Sequence, residues 1–174
     1  GIIGEMKSKK GLSLLLESID FEKFNLRIIG RLDNETSKLL HGFVTLKPEL
    51  STFIEVVPFI KKHLDLLEEY RKIDIICIPS FHDGMPNVLL ESLSMGKIVV
   101  ASDVGGSVDA ITHGENGFLF KRGDKTSLRH FLNMAAQEVL SPQSQIPEYA
   151  NKSVVERFHW NHEMKAYCDF FKEH

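Results

Sequence analysis

Short apolar runs alternate along the chain with segments whose apolar residues recur at helical spacing. Leu12, Leu15, Leu16 and Ile19, for example, fall on one face of a helix. The predicted strands are Ile2-Ile3, Leu26 to Ile29, Phe53 to Val57, Ile73 to Ile78, Ile98 to Ala101 and Phe118 to Phe120. Such alternation is typical of repeated βα units, so the pattern predicts an α/β domain with a mainly parallel sheet.

Capping residues and helix breakers set the predicted helix boundaries. Pro86 suits the first turn of a helix and Gly96 suits its end, which predicts a helix over Pro86 to Met95. Asn34 is the expected cap of an earlier helix, because its side chain can accept a hydrogen bond from a free backbone N–H group. Each of these helices is expected to follow a strand of the sheet.

Other segments are less regular. Leu64, Leu67 and Tyr70 are the expected buried stripe of a helix between the third and fourth strands. The stretch from Leu40 to Ser51 contains a glycine and a proline that would break a long helix, so we predict a loop or a local insertion there. Two or three helices are expected at the end of the chain, the last from about Asn161 to Glu173.

Length and composition are those of an ordinary globular domain. The chain has 174 residues, of which 43% are hydrophobic and 26% charged, enough for one domain with a buried core. Its net charge of -3 gives no general affinity for nucleic acid. Cys77 and Cys168 lie far apart, so no disulfide framework is expected and the expected compartment is the reducing cytoplasm. No apolar stretch approaches the roughly 20 residues that a membrane-spanning helix needs.

Three segments follow predicted strands, where the ligands of an open parallel sheet bind: Gly4 to Gly11, Pro79 to Glu91 and Asp103 to Asp109. In the second, a strand ends, a glycine-containing turn follows, and a helix begins with free backbone N–H groups. Such a helix N-terminus suits an anion, and Gly84 lets a ligand approach the backbone closely. Asp83 and Glu91 could accept hydrogen bonds from sugar or ribose hydroxyl groups. The segment therefore predicts a site for a phosphorylated, hydroxyl-rich ligand.

The same segment carries a resemblance to a known family. It runs Asp83-Gly84-Met85-Pro86-Asn87-Val88-Leu89-Leu90-Glu91. This run resembles the donor-site motif of the retaining, GT-B-fold glycosyltransferases of group 1 (family 4), in which Glu-Gly-x-Pro is followed by a second Glu. Four further segments agree with the family in order and spacing: Gly4 to Gly11, Met95 to Ser102, Val104 to Asp109 and Gly114 to Leu119. The resemblance covers residues 1 to 135.

This resemblance implies a fold, a reaction and partners. The chain would be the Rossmann-like, three-layer C-terminal half of a GT-B fold, with residues 1–174 forming one domain. In the whole protein it would face an N-terminal acceptor domain that is absent from this chain. The start of the chain at Gly1 fits such a division. It would bind a UDP- or GDP-sugar and transfer the sugar with retention to a saccharide, lipid or other acceptor, with no required metal or cofactor. The isolated domain is expected to be inactive, because half of the cleft would be missing. Peripheral contact of the missing half with the inner face of a membrane is left open.

The resemblance also implies roles for individual residues. Asp83 and Lys10 would be the catalytic residues, Asp83 contacting the donor sugar and Lys10 neutralising the diphosphate and assisting its departure. Glu91 would accept hydrogen bonds from the ribose, and Ile60 would lie at the nucleobase. The full set of expected donor-binding residues is Glu91, Gly84, Met85, Asn87, Val88 and Ile60.

Two positions depart from the family pattern. Asp83 stands where the family usually has Glu, and its side chain is one methylene shorter, which reduces its reach to a sugar hydroxyl. Glu5 aligns with the family's diphosphate-binding Arg. A carboxylate there would repel a diphosphate unless it points away or another cation compensates, and Lys7 and Lys9 are the candidates for that cation.

The residues leave other functions open. Glu5 and Asp83 could mark a binding or regulatory module that has lost catalysis, and nucleotide-sugar epimerases share the same architecture. The chain has no Gly-x-Gly-x-x-Gly fingerprint and no phosphate-binding Gly-Lys-Ser/Thr loop, so the usual dinucleotide and NTPase sites are not expected.

Several of these residues also have plain structural interpretations. Asp83 could simply cap the following helix, and Gly105 and Gly106 could only build a tight turn. His159 and His162 are three residues apart, but no third ligand lies nearby in the sequence, so a metal site is not expected.

Overall fold

The computed structural model of the chain describes residues 1–158. Within that range six strands are present: β1 (Ile2–Ile3), β2 (Leu26–Ile29), β3 (Ile54–Val57), β4 (Ile75–Ile78), β5 (Ile98–Ser102) and β6 (Phe118–Phe120). The same range contains seven α-helices: α1 (Leu12–Ser18), α2 (Asn34–Leu46), α3 (His63–Arg71), α4 (Asn87–Ser94), α5 (Gly106–Ala110), α6 (Lys125–Leu140) and α7 (Ile146–Arg157). All the predicted strands are confirmed, and so is the helix predicted between Pro86 and Met95.

The strands form two parallel three-stranded sheets that meet edge to edge. β1 pairs with β2, with Ile2 opposite Ile28, and β2 pairs with β3. β4 pairs with β5, and β5 with β6, in the same parallel sense. The backbone N–H of Cys77 in β4 donates to the carbonyl oxygen of Gly1 at 2.8 Å, which places β4 beside β1. The resulting order, β3-β2-β1-β4-β5-β6, is that of a Rossmann fold, and the order reverses between β1 and β4.

Each face of the sheet carries its own core, because successive side chains of a strand point to opposite faces. On one face, Val100 and Cys77 pack with apolar residues of α1 and α6. On the other face, Val99 and Ile76 pack with apolar residues of α3, α4 and α7. All the residues of β5 are buried, as expected for a central strand covered on both faces. The predicted α/β, Rossmann-like, three-layer architecture is therefore confirmed.

Helix α2 contradicts the predicted loop after Leu40. The helix continues through Gly42 to Leu46, and a short 3-10 helix follows over Pro48–Phe53. A glycine inside a helix costs only about 1 kcal/mol relative to alanine. Leu40 is buried in the core and Phe43 packs against it, so tertiary contacts offset this cost.

Two further helix details differ from the predictions. The cap of α2 is Asp33, whose carboxylate accepts a hydrogen bond from the backbone N–H of Thr36 at 2.8 Å, and Asn34 is the first helical residue. In α3, Tyr70 is fully buried but Leu64 is 75% exposed. Six residues at about 100° each place Leu64 about 120° from Tyr70 around the helix axis, so Leu64 does not belong to the core-facing stripe.

The last expected helix, from about Asn161, lies outside the described residues, as do His159 and His162. Among residues 1–158, no helix has both the length and the apolar character needed to cross a membrane.

Candidate functional site

Two loops meet where the strand order reverses, at the carboxyl ends of β1 and β4. The backbone N–H of Phe81 donates to the carbonyl oxygen of Lys9 at 2.8 Å. Gly11, which closes the first loop, has φ +75, and a Cβ at that position would lie 1.9 Å from the carbonyl oxygen of Pro79. A glycine is required there, because a side chain would force the two loops apart. The first two of the predicted ligand segments are thus held together.

The contact between these loops centres on an ion pair. The ammonium group of Lys10 donates to Oδ2 of Asp83 at 2.5 Å, and both side chains are largely shielded from solvent. The hydroxyl of Ser80 donates to the same oxygen at 3.3 Å, and the backbone N–H of Gly84 donates to Oδ1 at 3.1 Å. The two predicted catalytic residues therefore lie side by side at the mouth of the site. Asp83 does not cap α4, because no side-chain cap bond is present and Pro86 occupies the cap position.

The third predicted ligand segment, Asp103 to Asp109, supports the turn that carries Asp83. Gly105 packs so closely on this turn that an added Cβ would lie 1.9 Å from the carbonyl oxygen of Asp83. The backbone N–H of Gly106 donates to the carbonyl oxygen of Gly84 at 2.7 Å, and a Cβ at Gly106 would lie 2.7 Å from the sulfur of Met85. The two glycines build a tight turn, as their structural interpretation predicted. That turn also positions residues 83–85.

A cleft of about 440 Å³ opens beside the amino end of α4. Four of the expected donor-binding residues line it: Ile60, Asn87, Val88 and Glu91. Gly84 and Met85 do not line this cleft and lie in the adjoining turn. A gap of about 20 Å³ that is lined by both Val88 and Lys10 lies between the cleft and the ion pair. The cleft and the ion pair thus form one continuous surface along the carboxyl edge of the sheet.

A hollow of similar size, about 460 Å³, lies at the opposite edge of the sheet, around Lys23 and Asp74. Open parallel sheets bind ligands at the carboxyl edge, and the amino end of α4 lines the cleft but not this hollow. The carboxyl edge is therefore the candidate functional site.

Glu91 lines the cleft, and its carboxylate has a partner in the core. Oε2 of Glu91 accepts a hydrogen bond from the hydroxyl of Tyr70 at 2.6 Å. Burial, together with this hydrogen bond, raises the pKa of Tyr70 well above its ordinary value, so Tyr70 stays protonated and acts as the donor. The sequence predicted Tyr70 only as a core residue, and its link to Glu91, 21 positions later, had no local signal.

Two further charged residues, Glu5 and Arg31, line the cleft. The carboxylate of Glu5 lies 3.0 Å from the ammonium of Lys7, so Lys7 rather than Lys9 is its partner. Arg31, which follows β2, also lines the cleft, with its guanidinium 5.6 Å from the centre of the Phe59 ring. Arg31 and Phe59 were not among the predicted site residues. Their only sequence signal is position, just after the carboxyl ends of β2 and β3.

No group of three or more metal-ligating side chains occurs within residues 1–158. His82, next to Asp83, is exposed and does not line the cleft. The groups that the site offers to a ligand are thus a helix N-terminus, carboxylates and cations.

Glu91→Ala is expected to weaken the binding of a nucleoside diphosphate about tenfold or more, because hydrogen bonds to a charged group contribute roughly 1.5–3 kcal/mol each. His82→Ala should leave the affinity within about twofold of wild type, since an exposed side chain away from the cleft makes no contact there. Titration calorimetry with UDP and with GDP measures both variants. Equal losses in the two variants would contradict the assignment of Glu91 to the site.

The sequence has counterparts among known proteins. The family model described as glycosyl transferases group 1 matches residues 1–136. The capsular polysaccharide biosynthesis glycosyltransferase CapM of Staphylococcus aureus is 24% identical over 184 aligned residues, which cover 99% of this chain and 46% of CapM. This chain therefore spans about half the length of that relative.

Solved structures share the fold. Alr3699/HepE of Anabaena, crystallised with UDP, superposes with a TM-score of 0.85 at 20% identity, covering 99% of this chain and 49% of that one. The C-terminal domain of the group 1 family protein LpcC from Francisella tularensis superposes with a TM-score of 0.79 at 18% identity, covering 91% of this chain and 85% of that one. With most of its length matched by the family model, the chain belongs to the glycosyl transferases group 1 family.

Proposed function

We propose that this chain is the donor-binding domain of a retaining glycosyltransferase and that it binds a nucleoside-diphosphate sugar at the carboxyl edge of its sheet. The observation that carries the proposal is the arrangement around the amino end of α4. Glu91 lies on the cleft side and the Lys10–Asp83 pair lies beyond the gap at Val88. A ligand with hydroxyl groups at one end and a diphosphate in its middle matches this order of groups.

Each part of the donor has a proposed partner. The nucleobase packs against Ile60, and the ribose hydroxyls donate to Glu91. The diphosphate lies between Lys10 and the free backbone N–H groups at the start of α4. The sugar lies beside Asp83 and the turn at Gly84, where an added Cβ would meet no protein atom within 4 Å, so the space is open.

Lys10 would also assist the reaction itself. When the bond between the sugar and the diphosphate breaks, negative charge develops on the leaving phosphate oxygen. An ammonium group held at that position stabilises the developing charge. An acceptor, a saccharide or a lipid, would be held by an N-terminal domain of the whole protein, so transfer needs both halves.

The relatives support a nucleotide-sugar donor. Structures of Alr3699/HepE, a neighbour with the same fold, contain UDP and UDP-glucose. We propose a UDP-sugar as the first candidate and a GDP-sugar as the second. The protein is proposed to act in the cytoplasm without a required metal ion.

A binding or regulatory module is the second candidate, favoured by Glu5 and Asp83 in place of the family's Arg and Glu. The pairing of Glu5 with Lys7 removes part of the repulsion that a diphosphate would meet. Product analysis on the protein with both halves separates the candidates. Transfer to an acceptor supports the enzyme, whereas tight binding without turnover supports the module.

The donor site can be tested on this chain by thermal unfolding. At a concentration 100-fold above its Kd, a ligand stabilises the native state by about 2.7 kcal/mol, which raises Tm by roughly 5–10 °C for a chain of this size. We expect such a rise with UDP or GDP and with one of their sugar conjugates, and a small rise or none with uridine or guanosine. The chain alone should transfer no sugar. Absence of any rise with all nucleoside diphosphates would refute the donor site.

A further inference from the structure

We infer that Tyr70 is a positioning residue for donor binding: its hydroxyl holds one carboxylate oxygen of Glu91 so that the other oxygen faces the cleft. The inference rests on the proposed function, because the partner of Glu91 in the cleft is taken to be the ribose. It adds a residue outside the cleft whose effect on the ligand passes entirely through Glu91.

Tyr70 is held rigidly by the core. It lies in the last turn of α3, no part of its side chain is exposed, and it belongs to the cluster that includes Ile73, Leu89 and Leu93. A tyrosine ring has only two side-chain torsions, so a fully packed ring leaves its hydroxyl oxygen in one place. That place is 2.6 Å from Oε2 of Glu91.

Glu91 lies between this core and the cleft. It is in the second turn of α4, and Leu89 and Leu93 on the same helix pack in the cluster around Tyr70. An ionised carboxylate has about four acceptor positions. Within residues 1–158, Tyr70 is the only side chain that donates to this carboxylate, so the other positions are available to a ligand in the cleft.

Fixing Glu91 in advance favours binding. A glutamate side chain has three torsions, and ordering them when a ligand binds costs free energy. The bond from Tyr70 orders the carboxylate before the ligand arrives. The bond is also strong, since O–H donors to ionised carboxylates form short, charge-assisted hydrogen bonds.

The test compares ribose with dideoxyribose. UDP, GDP and their 2′,3′-dideoxy analogues are titrated into the wild-type chain, into Tyr70→Phe and into Tyr149→Phe. The last is a matched control, because Tyr149 is 42% exposed on α7 and its hydroxyl bonds only to Gln145 among the described residues. We expect the wild type and Tyr149→Phe to prefer ribose over dideoxyribose by about tenfold. Tyr70→Phe should reduce that preference to about twofold or less while its affinity for the dideoxy analogue is unchanged.

A structural role would give a different result. If Tyr70→Phe only loosened the core, ribose and dideoxyribose ligands would lose affinity equally and the preference would survive, which would overturn the inference. In a Glu91→Ala background, adding Tyr70→Phe should cause no further loss of ribose preference. A wild-type chain that binds neither UDP nor GDP, or shows no ribose preference, would overturn the proposed site of Glu91 itself.

Discussion

Replacing Lys10 with methionine is expected to weaken the binding of UDP about tenfold or more and to leave the binding of uridine within about twofold of wild type. The reason is electrostatic. In the free protein the Lys10 ammonium neutralises Asp83 at 2.5 Å. Without it, Asp83 becomes an uncompensated carboxylate beside the diphosphate, so the variant loses an attraction and gains a repulsion. Uridine lacks the diphosphate, so its affinity is affected neither by the lost attraction nor by the new repulsion.

The matched control is Lys9→Met. Lys9 precedes Lys10 in the same 3-10 turn, and its side chain is exposed, so its removal should change UDP affinity by less than about twofold at physiological salt. Asp83→Asn should act in the opposite direction to Lys10→Met and bind UDP at least as tightly as wild type, because Lys10 is then released to the diphosphate. Calorimetry with UDP and uridine measures all three. Equal loss of UDP and uridine binding in Lys10→Met would show that Lys10 does not bind the diphosphate.

Gly105→Ala is expected to destabilise the chain by at least about 3 kcal/mol and to abolish measurable nucleotide binding. Gly105 has φ +51 and ψ -139, a conformation that is essentially restricted to glycine. The added Cβ would in addition lie 1.9 Å from the carbonyl oxygen of Asp83. Either the turn at Asp83 or the start of α5 must move. Movement of the turn shifts the amino end of α4, which follows it directly, and movement of α5 breaks the hydrogen bond from Gly106 to the carbonyl oxygen of Gly84.

The variant Gly114→Ala separates the conformational cost of the positive φ from the steric clash of the added Cβ. Gly114 also has a positive φ, +82, but a Cβ there would meet nothing within 4 Å. This variant carries only the conformational cost, about 1–2 kcal/mol, and it lies outside the cleft. Denaturant unfolding gives both stabilities, and calorimetry with UDP gives both affinities. Equal destabilisation of the two variants, with UDP binding intact in both, would show that Gly105 does not position the turn.

The strands were predictable from the sequence because each is a short apolar run between polar segments, and burial on both faces of a parallel sheet requires that pattern. Helix α2 was predicted wrongly. Gly42 is a local signal against a helix. The burial of Leu40, which stabilises the helix, depends on tertiary contacts that the local sequence does not show. The prediction that Leu64 is buried was wrong for the same reason, since helical spacing alone does not show which face of the helix meets the core.

The site was predictable where its residues lie in one continuous segment. Asp83 to Glu91 form a strand end, a turn and a helix start, and this local unit carries both the family resemblance and most of the expected contacts. Contacts between segments were not predictable. The bond from Tyr70 to Glu91, the close packing of Gly105 and the position of Arg31 each join residues from different βα units.

The sequence by itself determined the family and the parallel α/β fold and gave the segment from Pro79 to Glu91 as the candidate site, because these depend on local periodicity and on a linear motif. Only the tertiary structure decided how the charges of the site are paired. Lys10 binds Asp83 across 73 positions, and Lys7 rather than Lys9 binds Glu5. Charges interact through distance in space, and the meeting of β1 and β4 brings the first of these pairs together at the edge of the sheet.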